Sequence, residues 1–203
     1  GDTVTLVDLG NNIAGFTDVQ IGLFASHGID KIDASNDVLA LSVAQYSALG
    51  SVTLAAGDVV TLSDTGANIA ALTSTQFGQL AANGIDVIDA SDNTLSLTVA
   101  QFTALGTTAL TGADAVTLSD TGANIAALSS TVLGTLASKG IDTIDATNNI
   151  LQLTVSQYQA LGATTLTAAD TVTLADTGAN LSALTAVQIG ALAGNNIDIL
   201  DAT

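Results

Sequence analysis

The sequence repeats with a fixed 56-residue period, without insertion or deletion, and this limits the possible folds more than any other feature. Val-Thr-Leu begins at Val4, Val60, Val116 and Val172, one period after another. The residue before Ile-Asp is Gly28, Gly84, Gly140 and then Asn196, at the same interval. A fixed period of this length marks an architecture in which each unit buries its apolar face only against its neighbours. We therefore expect a single solenoid over residues 1–203, divided as 2–57, 58–113, 114–169 and a partial 170–203. The rival is a string of independent 56-residue domains. It requires linkers, and no proline, serine-rich or charged break separates the units.

Each period divides again. Shifting residues 60–84 by 25 aligns Asp64 with Asp89, Asn68 with Asn93, Leu72 with Leu97, Gln76 with Gln101 and Phe77 with Phe102. The period is thus a 25-residue short coil followed by a 31-residue long coil. The long coil carries an extra segment typified by GTTALTGADA, residues 106–115.

In the short coil, VTLSD alternates apolar and polar residues and is rich in β-branched types, which predicts a strand. DTGAN reads as a turn. Thr73 and Gln76 then have capping-box spacing, flanked by Leu72 and Phe77 at the spacing of a hydrophobic staple. Gly84 supplies the left-handed stop. The long coil repeats this grammar. Residues 85–88 form its strand, ASDN its turn, Thr98 and Gln101 its box, and Gly106 its stop. The box recurs at Thr17/Gln20, Ser42/Gln45, Thr154/Gln157 and Thr185/Gln188, and loses its second member at Ser129, where Val132 stands for Gln.

Equivalent positions keep their character. Leu6, Leu62, Leu118 and Leu174 form one column, Ile29, Ile85, Ile141 and Ile197 another, and Tyr46, Phe102 and Tyr158 an aromatic one. Leu54, Leu110 and Leu166 mark one further apolar column, consistent with a short extra strand. The expected class is α/β, a repeat solenoid with one strand and one short helix per coil. The long coil, Ile85-x-x-Ile88-x-Ala90-x-x-Asn93-x-Leu95-x-Leu97, resembles the leucine-rich repeat. That resemblance implies that Asn68, Asn93, Asn124 and Asn149 form a file satisfying backbone groups where the chain leaves each strand.

Nineteen acids, all Asp, against two Lys give a net charge of −17. Such a chain lacks the cations that neutralise phosphates, so nucleic acid and anionic membrane surfaces are excluded as partners. With 48% hydrophobic residues it is not a disordered acidic chain. There is no Cys, hence no thiol chemistry. No apolar run reaches the ~18 residues of a membrane span.

The aspartates are the only residues that could carry chemistry. Asp64, Asp89, Asp120 and Asp145 share one phase of successive coils, so neighbouring strands ~4.8 Å apart stack them in a file. Two readings stay open. In the favoured one, each carboxylate accepts hydrogen bonds from turn amides. In the other, Ca²⁺ is held between coils by these hard oxygen ligands. No other cofactor is expected. Asp30, Asp86, Asp142 and Asp198 form a second file expected to face water. His27, the single histidine, precedes the helix-ending glycine, where a cation complements the helix carbonyls. No base accompanies the abundant Ser and Thr as a triad requires, and the Asp-Thr-Gly triplet recurs as part of the repeat. An enzyme is not expected.

Over its whole length the wording of the repeat also resembles the Asp- and Thr-rich repeats of very large secreted bacterial proteins, the type I-secreted adhesins and surface-layer-like proteins. The resemblance implies an extracellular or cell-surface location and a structural or interaction role as a rigid spacer, adhesin stalk or lattice element. The chain begins and ends within a repeat. This leads us to expect a longer parent or end-to-end self-association.

Overall fold

A computed structural model describes residues 2–203 as short helices and short parallel strands in several sheets. They cluster into two compact units, Gly1–Leu95 with Thr103–Asp114, and Ser96–Phe102 with Ala115–Thr203.

In the first unit, Thr5–Asp8 pairs with Lys31–Ala34, which pairs in turn with Thr53–Leu54. A second sheet orders Val38–Leu41, Val59–Asp64, Val87–Ala90 and Ala109–Leu110. The second unit repeats both arrangements. Ala115–Asp120 pairs with Thr143–Ala146, and that strand with Thr165–Leu166. Ile150–Leu153 pairs with Thr171–Asp176, and that strand with Ile199–Ala202. The extra apolar column is therefore a real strand, two residues long in each copy.

The strand carrying VTL is longer than its partners because it serves two of them. Residues 59–62 pair with 38–41, and residues 61–64 pair with 87–90. Inward side chains alternate along each strand as the pleat requires. Leu62, Ile88, Ala90, Leu118, Ile144, Val172 and Leu174 are all buried. Each such Leu or Ile contributes about 1.5–3 kcal/mol. Two of the apolar columns become exposed in the partial fourth repeat, while Leu184, Leu192 and Ile197 there stay buried. Leu200 is 50% exposed where its counterpart Ile144 is 0%, and Ile189 is 49% exposed where Leu133 is 0%.

None of the α-helices exceeds six residues among those described. Helices this short do not stand alone in water, so caps and packing hold them. Thr73 accepts from the Gln76 amide while the Gln76 side chain accepts from the Thr73 amide, with Leu72 and Phe77 buried beside them. The reciprocal bonds form at Thr98 and Gln101 as well. They form too at residues 17, 42, 154 and 185, and only the Ser129 half remains where Val132 replaces Gln. Gly84 closes the following 3-10 turn at φ 83°, and Asn196 takes the same left-handed place at φ 58°.

Three local expectations are corrected. DTGAN is not a turn but a helix start: Gly66–Ala70, Gly122–Ala126 and Gly178–Ser182 are helical, capped by Thr65, Thr121 and Thr177. The long-coil strand is Val87–Ala90, two residues later than read from sequence. Ile85 instead sends its amide to the Leu80 carbonyl, the long closing bond of a Schellman motif. Consequently the strand register is 26, not 25: Ser63 lies opposite Asp89 and Asp64 opposite Ala90.

Candidate functional site: the aspartates and their partners

A one-residue change of register moves a side chain to the other face of the sheet, so the single file of Asp64, Asp89, Asp120 and Asp145 does not form. Asp64 and Asp120 end their strands opposite Ala90 and Ala146, whereas Asp89 and Asp145 lie opposite Ser63 and Ser119 and accept their hydroxyl protons at 3.1 and 3.0 Å.

Asp64 is a hub. Its Oδ1 accepts from the Thr65 amide at 2.8 Å and from Asn68 Nδ2 at 2.7 Å. Its Oδ2 accepts from the Val43 amide, in the preceding turn of chain, at 3.0 Å. Val43 opens the helix Val43–Ala48, and its N–H has no intrahelical acceptor. Asp120 and Asp176 repeat the set toward Val99 and Val155. Burial pushes the Asp64 and Asp120 carboxyls up, but three hydrogen bonds to each outweigh it and hold both below the usual value. The bond from Asn180 leads in lowering half-buried Asp176.

Other aspartates do the same work elsewhere. Asp30, Asp86, Asp142 and Asp198 are exposed, as expected, yet each also accepts the amide of Val4, Val60, Val116 or Val172 at 2.8–2.9 Å. Asn36, Asp92 and Asn148 accept the amides of Gly10, Gly66 and Gly122, each at 2.8 Å. Those glycines are required by space: a Cβ on Gly66 would lie 1.8 Å from the Thr94 carbonyl oxygen.

The asparagine file likewise divides. Asn68 and Asn124 donate to Asp64 and Asp120, while Asn93 and Asn149 take left-handed backbone at φ 55°. The role implied by the leucine-rich repeat falls one residue earlier than Asn93 and Asn149, to Asp92 and Asn148. His27 Nδ1 lies 2.9 Å from the Leu23 carbonyl at the helix end.

Comparison with protein-family models, curated proteins and solved structures returns no match. The functional reading therefore rests on this geometry.

One set escaped the sequence reading. Asp58, Asp114 and Asp170 are buried, 5–7% exposed. Oδ2 of each accepts the amide of Ala34, Ala90 or Ala146 at 2.8–2.9 Å. The neighbouring strand is only two residues long there, so the carboxylate stands in for a carbonyl that the strand does not reach to supply. Oδ1 of each is buried without a partner. Burial pushes the Asp114 and Asp170 carboxyls up, the alanine amide offsets part of this, and neighbouring carboxylates add to it: Asp89 and Asp92 for Asp114, and Asp145 for Asp170. The signal was present in the period, since Asp2, Asp58, Asp114 and Asp170 each stand two residues before Val-Thr-Leu. Among the described residues no group of three or more His or Asp side chains could hold a metal ion. No described helix is long and apolar enough to cross a membrane.

Proposed function

We propose that the chain is a structural and interaction element, a rigid repeat solenoid serving as spacer, adhesin stalk or lattice segment of a secreted bacterial surface protein. The observation that carries this reading is the recurrence of hydrogen bonds between neighbouring turns. Asp64 to Val43, Asp120 to Val99 and Asp176 to Val155 are one bond made three times, once per period. Polar side chains that in an enzyme would face substrate are here tied to backbone amides. Every interaction that repeats with the period also propagates with it, so adding repeats lengthens the rod without changing its design. The extracellular location rests on the resemblance of the repeat wording alone.

Small-angle scattering on chains of two, three and four repeats tests the reading. With two coils per period and strands ~4.8 Å apart, the maximum dimension grows by about 10 Å per repeat. Growth as flexibly joined beads, or none, removes the solenoid. Melting in millimolar Ca²⁺ against chelator separates the calcium alternative: the spacer reading expects no shift, whereas a rise of several degrees assigns the acidic positions to Ca²⁺.

A further inference from the structure

Tyr46 and Tyr158, two periods apart, each stand beside a cleft built from the same positions. The clefts have volumes of about 530 Å³ in the first unit and 580 Å³ in the second. Each tyrosine is half-buried and anchored, its hydroxyl accepting from Asn83 Nδ2 at 2.8 Å or from Asn195 Nδ2 at 2.7 Å. Ring and asparagine are thus fixed in orientation beside the cleft. Gln76 and Gln188 also line the clefts. Oε1 of each is committed to its capping box. In the long coil the equivalent glutamine also uses its nitrogen: Gln45 Nε2 donates to the Ala14 and Phe16 carbonyls at 2.9 and 2.7 Å. Gln76 and Gln188 make no such bond among the described residues, which leaves their N–H₂ groups available to a ligand in the clefts they line.

The charge of the lining narrows the ligand. The chain holds 19 Asp, yet no Asp, Lys or His lines either cleft. A cation finds no carboxylate there, and a net charge of −17 opposes an anion. What remains in both clefts is a tyrosine ring, the amide donors of Gln76 or Gln188, and a threonine hydroxyl, Thr53 or Thr165, that donates to the Asp30 or Asp142 carbonyl and keeps its lone pairs as acceptors. This set stacks on apolar C–H faces and exchanges hydrogen bonds with hydroxyls, and the volumes fall within the usual range for small-ligand sites. We propose that the two clefts are binding sites for a neutral, polyhydroxylated ligand, a short segment of glycan, with Tyr46 and Tyr158 as stacking platforms and Gln76 and Gln188 as donors. The proposal rests on the stacking of successive turns, since each cleft is lined from two periods, Tyr46 to Ala56 with Gln76 to Gly84 and Tyr158 to Leu166 with Gln188 to Asn196. Scattering that shows separate beads removes both readings, whereas a rod that binds no sugar removes this one alone.

The composition supplies the assay. The chain has two Tyr and no Trp, so intrinsic tyrosine fluorescence reports these two clefts alone. Maltohexaose, cellohexaose and chitohexaose are titrated separately into the full chain. At least one should give a saturable change with a dissociation constant in the millimolar range or tighter, at two equivalents per chain. Tyr46→Phe leaves Tyr158 as sole reporter and Tyr158→Phe the converse, and Phe102 at the corresponding position indicates that the fold accepts the exchange. Gln76→Glu with Gln188→Glu keeps the capping acceptor and removes the donor. It should weaken binding about 10-fold or more with melting unchanged. Three results overturn the proposal: no saturable change with any of the three sugars, affinity untouched by the double Gln→Glu exchange, or a neutral Ser/Asn peptide binding as tightly as the best sugar.

Discussion

Asp120 and Asp114 stand close together in sequence, are both acceptors of an amide from another chain turn, and are opposite in energetics. Asp120 has three donors for its two oxygens and its carboxyl is held low; Asp114 has one donor, an orphaned oxygen and a carboxyl pushed up. The difference lies in the surroundings. Asp120 opens a helix, where unused amides converge. Asp114 lies in the turn between the two-residue strand Ala109–Leu110 and the strand Ala115–Asp120, where it only replaces a missing carbonyl. A buried carboxylate is therefore stabilising or costly according to how many orphan donors the backbone leaves near it.

The largest effect should come from disturbing the helix starts that Asp64 and its equivalents organise. Gly66→Ala places a Cβ 1.8 Å from the Thr94 oxygen, whereas nothing lies within 4 Å at Gly178. Denaturant unfolding should show a loss of about 3–5 kcal/mol for Gly66→Ala and a change within about 0.5 kcal/mol for Gly178→Ala. Next, one substitution should act in opposite directions. Asp120→Asn turns an N–H₂ group against at least one of three donors and should lose about 2–3 kcal/mol, while Asp114→Asn keeps the acceptor for Ala90 and removes a buried charge, giving between no change and about 1 kcal/mol of gain. Equal losses at both sites would break the comparison.

The pH dependence follows from the same contrast. The lowered carboxyls of Asp64, Asp120 and Asp176 contribute stability that is present above the ordinary value of 3.8 and is lost as pH falls through their folded values. The raised carboxyls of Asp114 and Asp170 act oppositely: the folded chain binds their protons more tightly, so stability declines as pH rises from 3.8 through their folded values. Melting followed against pH should flatten above 3.8 in the double variant Asp114→Asn/Asp170→Asn and retain its acid limb. The smallest effect is expected from Asp89→Asn. It leaves an acceptor for Ser63 but removes the like charge beside Asp114, moving the Asp114 carboxyl down in a carboxyl-resolved NMR titration with under about 1 kcal/mol change in stability.

Much of the fold was legible because local rules dictate it. Thr73 and Gln76, Leu72 and Phe77, and Gly84 specify a helix start and stop with few alternatives, and the structure forms them. Register was not legible. It depends on Ile85 being consumed by the helix-closing motif, a long-range consequence that delays the strand and divides the Asp64 and Asp89 positions between two faces. DTGAN was misread because Asp, Gly and Asn share turn chemistry, and only the close approach of Gly66 to Thr94 reveals why glycine must stand there. Asp58, Asp114 and Asp170 were visible as a column but gave no hint of burial, because burial depends on a neighbouring strand ending after two residues.

The claim that aspartate carboxylates join successive turns through otherwise orphaned amides is tested most directly by hydrogen exchange at Val99. The N–H of the first residue of a short helix normally exchanges freely. The bond to Asp120 predicts a protected Val99 amide in the native chain, with protection lost in Asp120→Asn while the amide of Val155, bonded to Asp176, stays protected. A Val99 amide that exchanges freely in the native chain, or stays protected without the carboxylate, would contradict the account.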